Sequence, residues 1–88
     1  MTSYHESRRC LEEYIEAESE SLHRMLRSYV MRAGLASGAA VYPATDDLLH
    51  EVIVEAFKTA ERFKPDIQPR AWLLGIAANL IKRQTRTP

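Results

Sequence analysis

Apolar residues recur along the first third of the chain at three- and four-residue steps: Leu11, Tyr14, Ile15, Leu22, Met25, Leu26, Tyr29 and Val30. That spacing lines one face of a helix and predicts an amphipathic helix from about Glu6 to Ala33. Ser3 followed by Glu6 has the order of a capping box, in which each side chain satisfies a backbone N–H that a helix start leaves open. Between Ile15 and Leu22 the polar run EAESES interrupts the stripe, which predicts either a kink or a break into two helices. Gly34 is the expected stop, because glycine adopts without steric cost the left-handed conformation that closes many helices.

Residues 34–44, GLASGAAVYPA, have no clear period and hold two glycines and Pro43, so they read as a loop. Thr45 is the expected N-cap of a second helix, with Asp46 and Asp47 in its first turn, where negative charge complements the helix dipole. Leu49, Val52, Ile53, Ala56, Phe57, Ala60 and Phe63 share one face of this helix, which should end near Phe63. Asp46, Asp47, Glu51, Glu55 and Lys58 lie largely outside that face. In KPDIQP two prolines bias their predecessors away from helical angles and make a short, stiff corner. Pro69 suits the first turn of a third helix, which carries Trp72, Leu73, Ile76, Ala77, Leu80 and Ile81. Lys82, Arg83 and Arg86 close it at the end that favours cations. No stretch alternates with the strand period of two, so the expected fold is all-α, a small bundle of three principal helices.

A chain of 88 residues forms one domain that hides only about 60% of its unfolded surface, so the core must be economical. With 45% apolar and 27% charged residues the composition is globular rather than that of a disordered tail, and no run approaches the roughly 18 apolar residues that cross a bilayer. No membrane partner is expected. The start, MTSYHESRRCLEE, turns acidic where a signal peptide would need an apolar core, which points to the cytoplasm. Cys10, the single cysteine, has no internal disulfide partner and reads as a reduced, half-buried thiol.

Catalytic chemistry finds no support in the residues. His5, His23 and His50 are scattered, and HEVIV lacks the second histidine of a zinc-protease helix. There is no glycine-rich phosphate loop and no nucleophile with a marked base, and the carboxylates of LEEYIEAESE read as a solvated helix face. The chain is therefore expected not to be an enzyme and to hold neither a metal nor a cofactor.

Charge changes the picture. Twelve basic residues balance twelve acidic ones, yet residues 1–57 hold five cations against ten acids and residues 58–88 hold seven against two, balances of minus five and plus five. Such asymmetry suits a protein that turns an acidic face to one partner and a basic end to another. The alternative is a set of charges spread over solvated helix faces.

Three elements in order carry a family resemblance: the acidic helix start DDLLHEVIVEAF, the aromatic corner RFKPDIQPRAW and the helix LLGIAANLIKRQTR. Together they resemble region 2 of the bacterial sigma factors of RNA polymerase, of the extracytoplasmic-function class. Asp47, Leu48, Glu51, Arg62, Phe63, Arg70, Ala71, Trp72, Leu73, Ile76, Ala77, Asn79 and Arg86 match that pattern, about half the chain, while the first helix resembles the family only generically.

The resemblance implies transcription initiation. It assigns Asp47, His50, Glu51 and Glu55 to core RNA polymerase, at the coiled coil of the beta-prime subunit. It assigns Lys64, Pro65, Asp66, Ile67 and Gln68 to a loop that receives an extruded base of the minus-ten promoter element. Arg70, Asn79, Lys82, Arg83 and Arg86 would lie along the non-template strand of the promoter DNA. A proline-bracketed loop suits that task physically, since a preorganised pocket offsets the few kcal/mol of unstacking.

Several residues depart from the pattern. Gly75 and Ala78 stand where the family is often basic, Arg83 where an acid is common and His50 where glutamine is common, and the loop before Thr45 is longer than usual. The family's second DNA-binding domain is not in the sequence, so the chain is read as a sigma region 2 domain from a longer protein. A rival reading stays open, a helical interaction module that binds a regulator such as an anti-sigma factor rather than DNA. Trp72 divides between a core anchor and a DNA contact.

Overall fold

The computed structural model describes residues 4–63 and 68–85. Three α-helices follow one another, α1 (Tyr4–Arg32), α2 (Val41–Lys58) and α3 (Pro69–Thr85), with short 3₁₀ turns at Gly38–Ala40 and Ala60–Arg62. Among the described residues there is no strand, and the fold is the expected all-α bundle.

α1 keeps its apolar stripe in register across the polar run, because Leu11 and Leu22 lie about three turns apart. The axis bends between them at Glu18, whose φ of −121° and ψ of 22° leave the helical region. Residues 16–20 are all exposed, so no packing holds the axis straight there. The helix stops as the glycine predicts. Gly34 has φ +68°, its N–H donates to the Met31 carbonyl at 3.2 Å, and the Leu35 N–H donates to the Val30 carbonyl at 3.1 Å. This is the Schellman arrangement, and half-buried Leu35 packs back on the core beside it. The proposed capping partner Ser3 lies outside the described residues.

α2 departs from expectation at both ends. It begins at Val41, not at a cap on Thr45, because Pro43 falls in the first turn, where a missing N–H costs no intrahelical bond. Thr45 is instead wholly buried within the helix, and its hydroxyl donates back to the Val41 carbonyl at 2.7 Å. Asp46 and Asp47 consequently sit beyond the first turn, which holds no acid. At the other end the helix closes at Lys58 rather than near Phe63. Thr59 donates both its N–H and its hydroxyl to the Glu55 carbonyl, at 3.1 and 2.8 Å, and the chain tightens into the 3₁₀ turn. Phe63 is extended but still buried.

One cluster forms the core: Leu11, Leu22, Leu26 and Val30 from α1, Leu48, Val52 and Ala56 from α2, Ala60 and Phe63 from the corner, and Leu73 and Ala77 from α3. Trp72, Ile76 and Leu80 flank it, half-buried, so the wholly buried face of α3 is the narrower Leu73–Ala77 stripe. Cys10 is a free, half-buried thiol. No described helix is long and apolar enough to cross a membrane.

A β-carbon at Gly34 would meet nothing within 4 Å, so substitution there tests the backbone alone. Gly34→Ala is expected to cost about 1 kcal/mol through its left-handed conformation, read as an earlier midpoint in denaturant with an unchanged slope. An unchanged midpoint would remove the glycine stop from the account of α1.

Candidate nucleic-acid and protein interface

The core-facing stripe of α2 leaves its opposite side to solvent. Asp47, His50, Glu51 and Lys58 are exposed and Glu55 is half-buried, spaced so that they share one side of the helix. Among them Val54 is 54% exposed, a large apolar side chain with charged residues around it on the helix. His50, Glu51, Val54, Glu55 and Lys58 line a shallow depression of about 300 Å³ whose far wall is Leu80 of α3.

A second hollow of about 230 Å³ adjoins the first, with Glu55 and Leu80 lining both. Its other walls include Arg62, Trp72, Asn79 and Arg83. Trp72 and Asn79 also line a third depression, on the open side of α3 beside Gly75. The two hollows therefore adjoin in one α2–α3 valley: Glu51, Glu55 and Lys58 stand at one end, and at the other two guanidinium groups and an asparagine amide share a wall with an indole.

The indole is set from the corner. Phe63 packs against it with ring centroids 5.4 Å apart at 52°, and the backbone N–H of Trp72 donates to the Gln68 carbonyl at 3.1 Å. Trp72 thus joins the core edge to an open hollow. At the start of α3, Gln68 and Arg70 are exposed. Arg70 also lies near Tyr14 of α1: burial pushes the Tyr14 hydroxyl up, Arg70 opposes the shift and Glu18 adds to it.

Of the residues singled out in the sequence, His50, Glu51 and Glu55 thus come together in the first hollow, and Asn79 and Arg83 in the second. Asp47 is exposed on the same helix as the first group, and Lys82 is exposed in the last turn of α3 but is not part of the second hollow's wall. Lys64, Pro65, Asp66, Ile67 and Arg86 lie outside the described residues. Val54, Leu80 and Thr59 are valley residues that sequence reasoning misses. For Val54 a signal is present, since it sits three positions past Glu51 and off the apolar stripe.

A different hollow, of about 360 Å³, lies between α1 and α2, with Arg24, Arg27, Tyr42 and Asp46 in its wall. There His23 packs against the Tyr42 ring at 4.6 Å, and its Nε2 has no hydrogen-bond partner and stands 3.7 Å from Asp46. Cations and acids intermix in this wall, which gives it no single charge to offer a ligand.

The family model described as Sigma-70 region 2 matches residues 19–87, taking in the second half of α1, α2, the corner and α3. Neither a curated protein nor a solved structure matches the chain.

Gly75 lies inside α3, and a β-carbon there would meet nothing within 4 Å. Gly75→Ala is therefore expected to stabilise the domain by about 0.5–1 kcal/mol through helix propensity, raising the melting temperature by a few degrees. A lower melting temperature would mean that the open side of α3 is less accommodating than its geometry.

Proposed function

The chain belongs to the sigma-70 region 2 family, and from that premise we propose that its α2–α3 valley serves two partners, core polymerase at the acidic end and the non-template strand at the basic end. Membership makes it a sigma factor domain acting in transcription initiation, through core RNA polymerase and promoter DNA. Sigma factor domains are not enzymes; the work is recognition. The finer assignment, to the extracytoplasmic-function class, rests on the corner and RAWLLGIAANL motifs.

The observation that carries the reading is that the two hollows adjoin at Glu55 and Leu80, with two carboxylates and the single cation Lys58 in the first and Arg62, Asn79 and Arg83 in the second. On the α2 side, Val54 supplies an apolar anchor amid Glu51, Glu55 and His50, the composition of a docking point for a basic amphipathic helix such as the beta-prime coiled coil. On the α3 side, Trp72 offers a stacking surface for a base, and Arg62 and Arg83 offer charge to the backbone. Lys82 adds charge in the last turn of α3, Arg86 is assigned to the same strand by its match to the family pattern, and residues 64–68 are the segment proposed to receive an extruded base during promoter melting.

A second reading has one observation in its favour. Gly75 and Ala78 leave the middle of α3 without cations, so this face is a weaker phosphate binder than the family pattern, which suits a module held by a regulator such as an anti-sigma factor.

Two measurements test the proposal. Asp47→Lys with Glu51→Lys is expected to weaken binding to core polymerase by roughly one to two orders of magnitude while the helical circular dichroism stays constant. Unaltered affinity would remove the α2 face from the interface. On the other side, a single strand carrying the non-template minus-ten sequence should bind better than its duplex. Lys82→Ala and Arg83→Ala should each flatten the salt dependence of that binding, by about 0.7 logarithmic units for every phosphate the side chain neutralises. If the slope stays put and strand and duplex bind alike, the cations only close a helix and the regulator-binding reading takes over.

A further inference from the structure

Among the described residues two polar side chains are buried, Ser7 and Thr45, at 2% and 0% exposure. Thr45 serves its own helix. Ser7 reaches across the molecule: its hydroxyl donates to the Phe63 carbonyl at 3.1 Å, bridging residues 56 positions apart. It lies in the part of α1 before the Glu18 bend, ahead of the first residue that the family model matches.

The place of that bond is what gives it meaning. Phe63 closes the 3₁₀ turn after α2 in an extended conformation, its own N–H returning to Ala60 at 3.1 Å. Its ring is the surface on which Trp72 packs. Two further contacts tie the start of α1 to the same region: Arg8 lies 4.9 Å over the Phe57 ring, and Leu11 is wholly buried in the core. A buried hydroxyl donating to this carbonyl restricts ψ at Phe63 and with it the direction of the Cα–Cβ bond that carries the ring.

We propose that Ser7 is a positioning residue for Trp72: its bond to the Phe63 carbonyl fixes the ring against which the indole is set, and so the stacking surface of the valley. The consequence for nucleic acid rests on the proposed function above; the consequence for Trp72 does not. Through this contact the start of α1, outside the family-matched segment, tunes a face built from α2 and α3.

The single tryptophan makes the test direct, since the fluorescence of the chain's Trp reports on Trp72 alone. Ser7→Ala and Thr45→Val each delete one buried hydroxyl, at the corner and in the first half of α2 respectively, and both are expected to lower the melting temperature by a few degrees. Well below both melting temperatures, Ser7→Ala should shift the Trp72 emission and weaken binding of the minus-ten single strand by about tenfold. Thr45→Val should change neither, and Ser7→Thr, which keeps the hydroxyl but adds a buried methyl, should leave emission and affinity closer to the parent than Ser7→Ala does even if it melts earlier. Equal emission shifts in Ser7→Ala and Thr45→Val, or no shift in either, would overturn the proposal and leave Ser7 as one more stabilising contact. If the parent protein binds no single strand, the nucleic-acid function falls and the emission comparison alone decides the role of Ser7.

Discussion

Three wholly buried alanines, Ala56, Ala60 and Ala77, set the dimensions of this domain. They belong to one core cluster with the leucines of α1, and their small side chains let α2, the corner and α3 come together around Leu26, Val30 and Phe63. A core this small has little apolar area to spare, and one that is close-packed responds to an added methylene with strain on the order of 1–3 kcal/mol. The closeness has a second effect. With α2 and α3 drawn together by small residues, the larger side chains that flank the contact, Trp72, Ile76 and Leu80, remain half-buried at its edge and become the floor of an open valley. Core and valley are two sides of the same packing choice.

α1 completes this arrangement from beneath. Its bend at Glu18 divides the helix into a half that supplies Leu22, Leu26 and Val30 and a half that supplies Leu11 and Ser7. The family match begins just after the bend, so the first half lies outside the matched segment. Yet it touches the corner through Ser7 and α2 through Arg8, and Tyr14 feels the charge of Arg70 on α3. The leucines of α1 share one buried cluster with Phe63, Leu73 and Ala77, so α1 is part of the packing that covers both the end of the 3₁₀ turn and the inner stripe of α3.

What can be read from the sequence divides along the same physical line. Signals carried by local periodicity or by one residue's backbone preference are legible: the three helices, the bend in EAESES, the glycine stop at Gly34, Pro69 in the first turn of α3 and the exposed acids of α2. Signals open to two local interpretations mislead. Pro43 and the small residues before it resemble a loop, but a proline is equally at home in a first turn, so α2 starts at Val41. Thr45 has the chemistry of a cap and also that of a buried hydroxyl bonded to the preceding turn, and only packing selects the second. Periodicity puts Leu49 on the core stripe although its neighbour Leu48 is the buried one, a rotation that spacing alone does not fix. The meeting of Asn79, Arg83 and Arg62 in one hollow, and the reach of Ser7 to Phe63, are tertiary facts with no local signature at all.

The balance of charge acquires a physical meaning in this geometry. A net charge of zero argues against a strong, indiscriminate attraction to nucleic acid, and a polymerase-bound domain has no need of one, since the partner supplies local concentration. What matters is charge within about 8 Å, the screening length at physiological salt, because beyond it the acids of α2 and the cations of α3 act largely independently. Glu55 is the exception, being half-buried and shared by both hollows, where screening is weaker and its carboxylate is felt at each end. There it favours a basic partner on α2 and disfavours a phosphate on α3. A basic partner seated over Glu55 would reverse the second effect by neutralising the charge. A cation seated over Glu55 on one side therefore changes how the neighbouring hollow meets an anion, a coupling that follows from one side chain's position between the two.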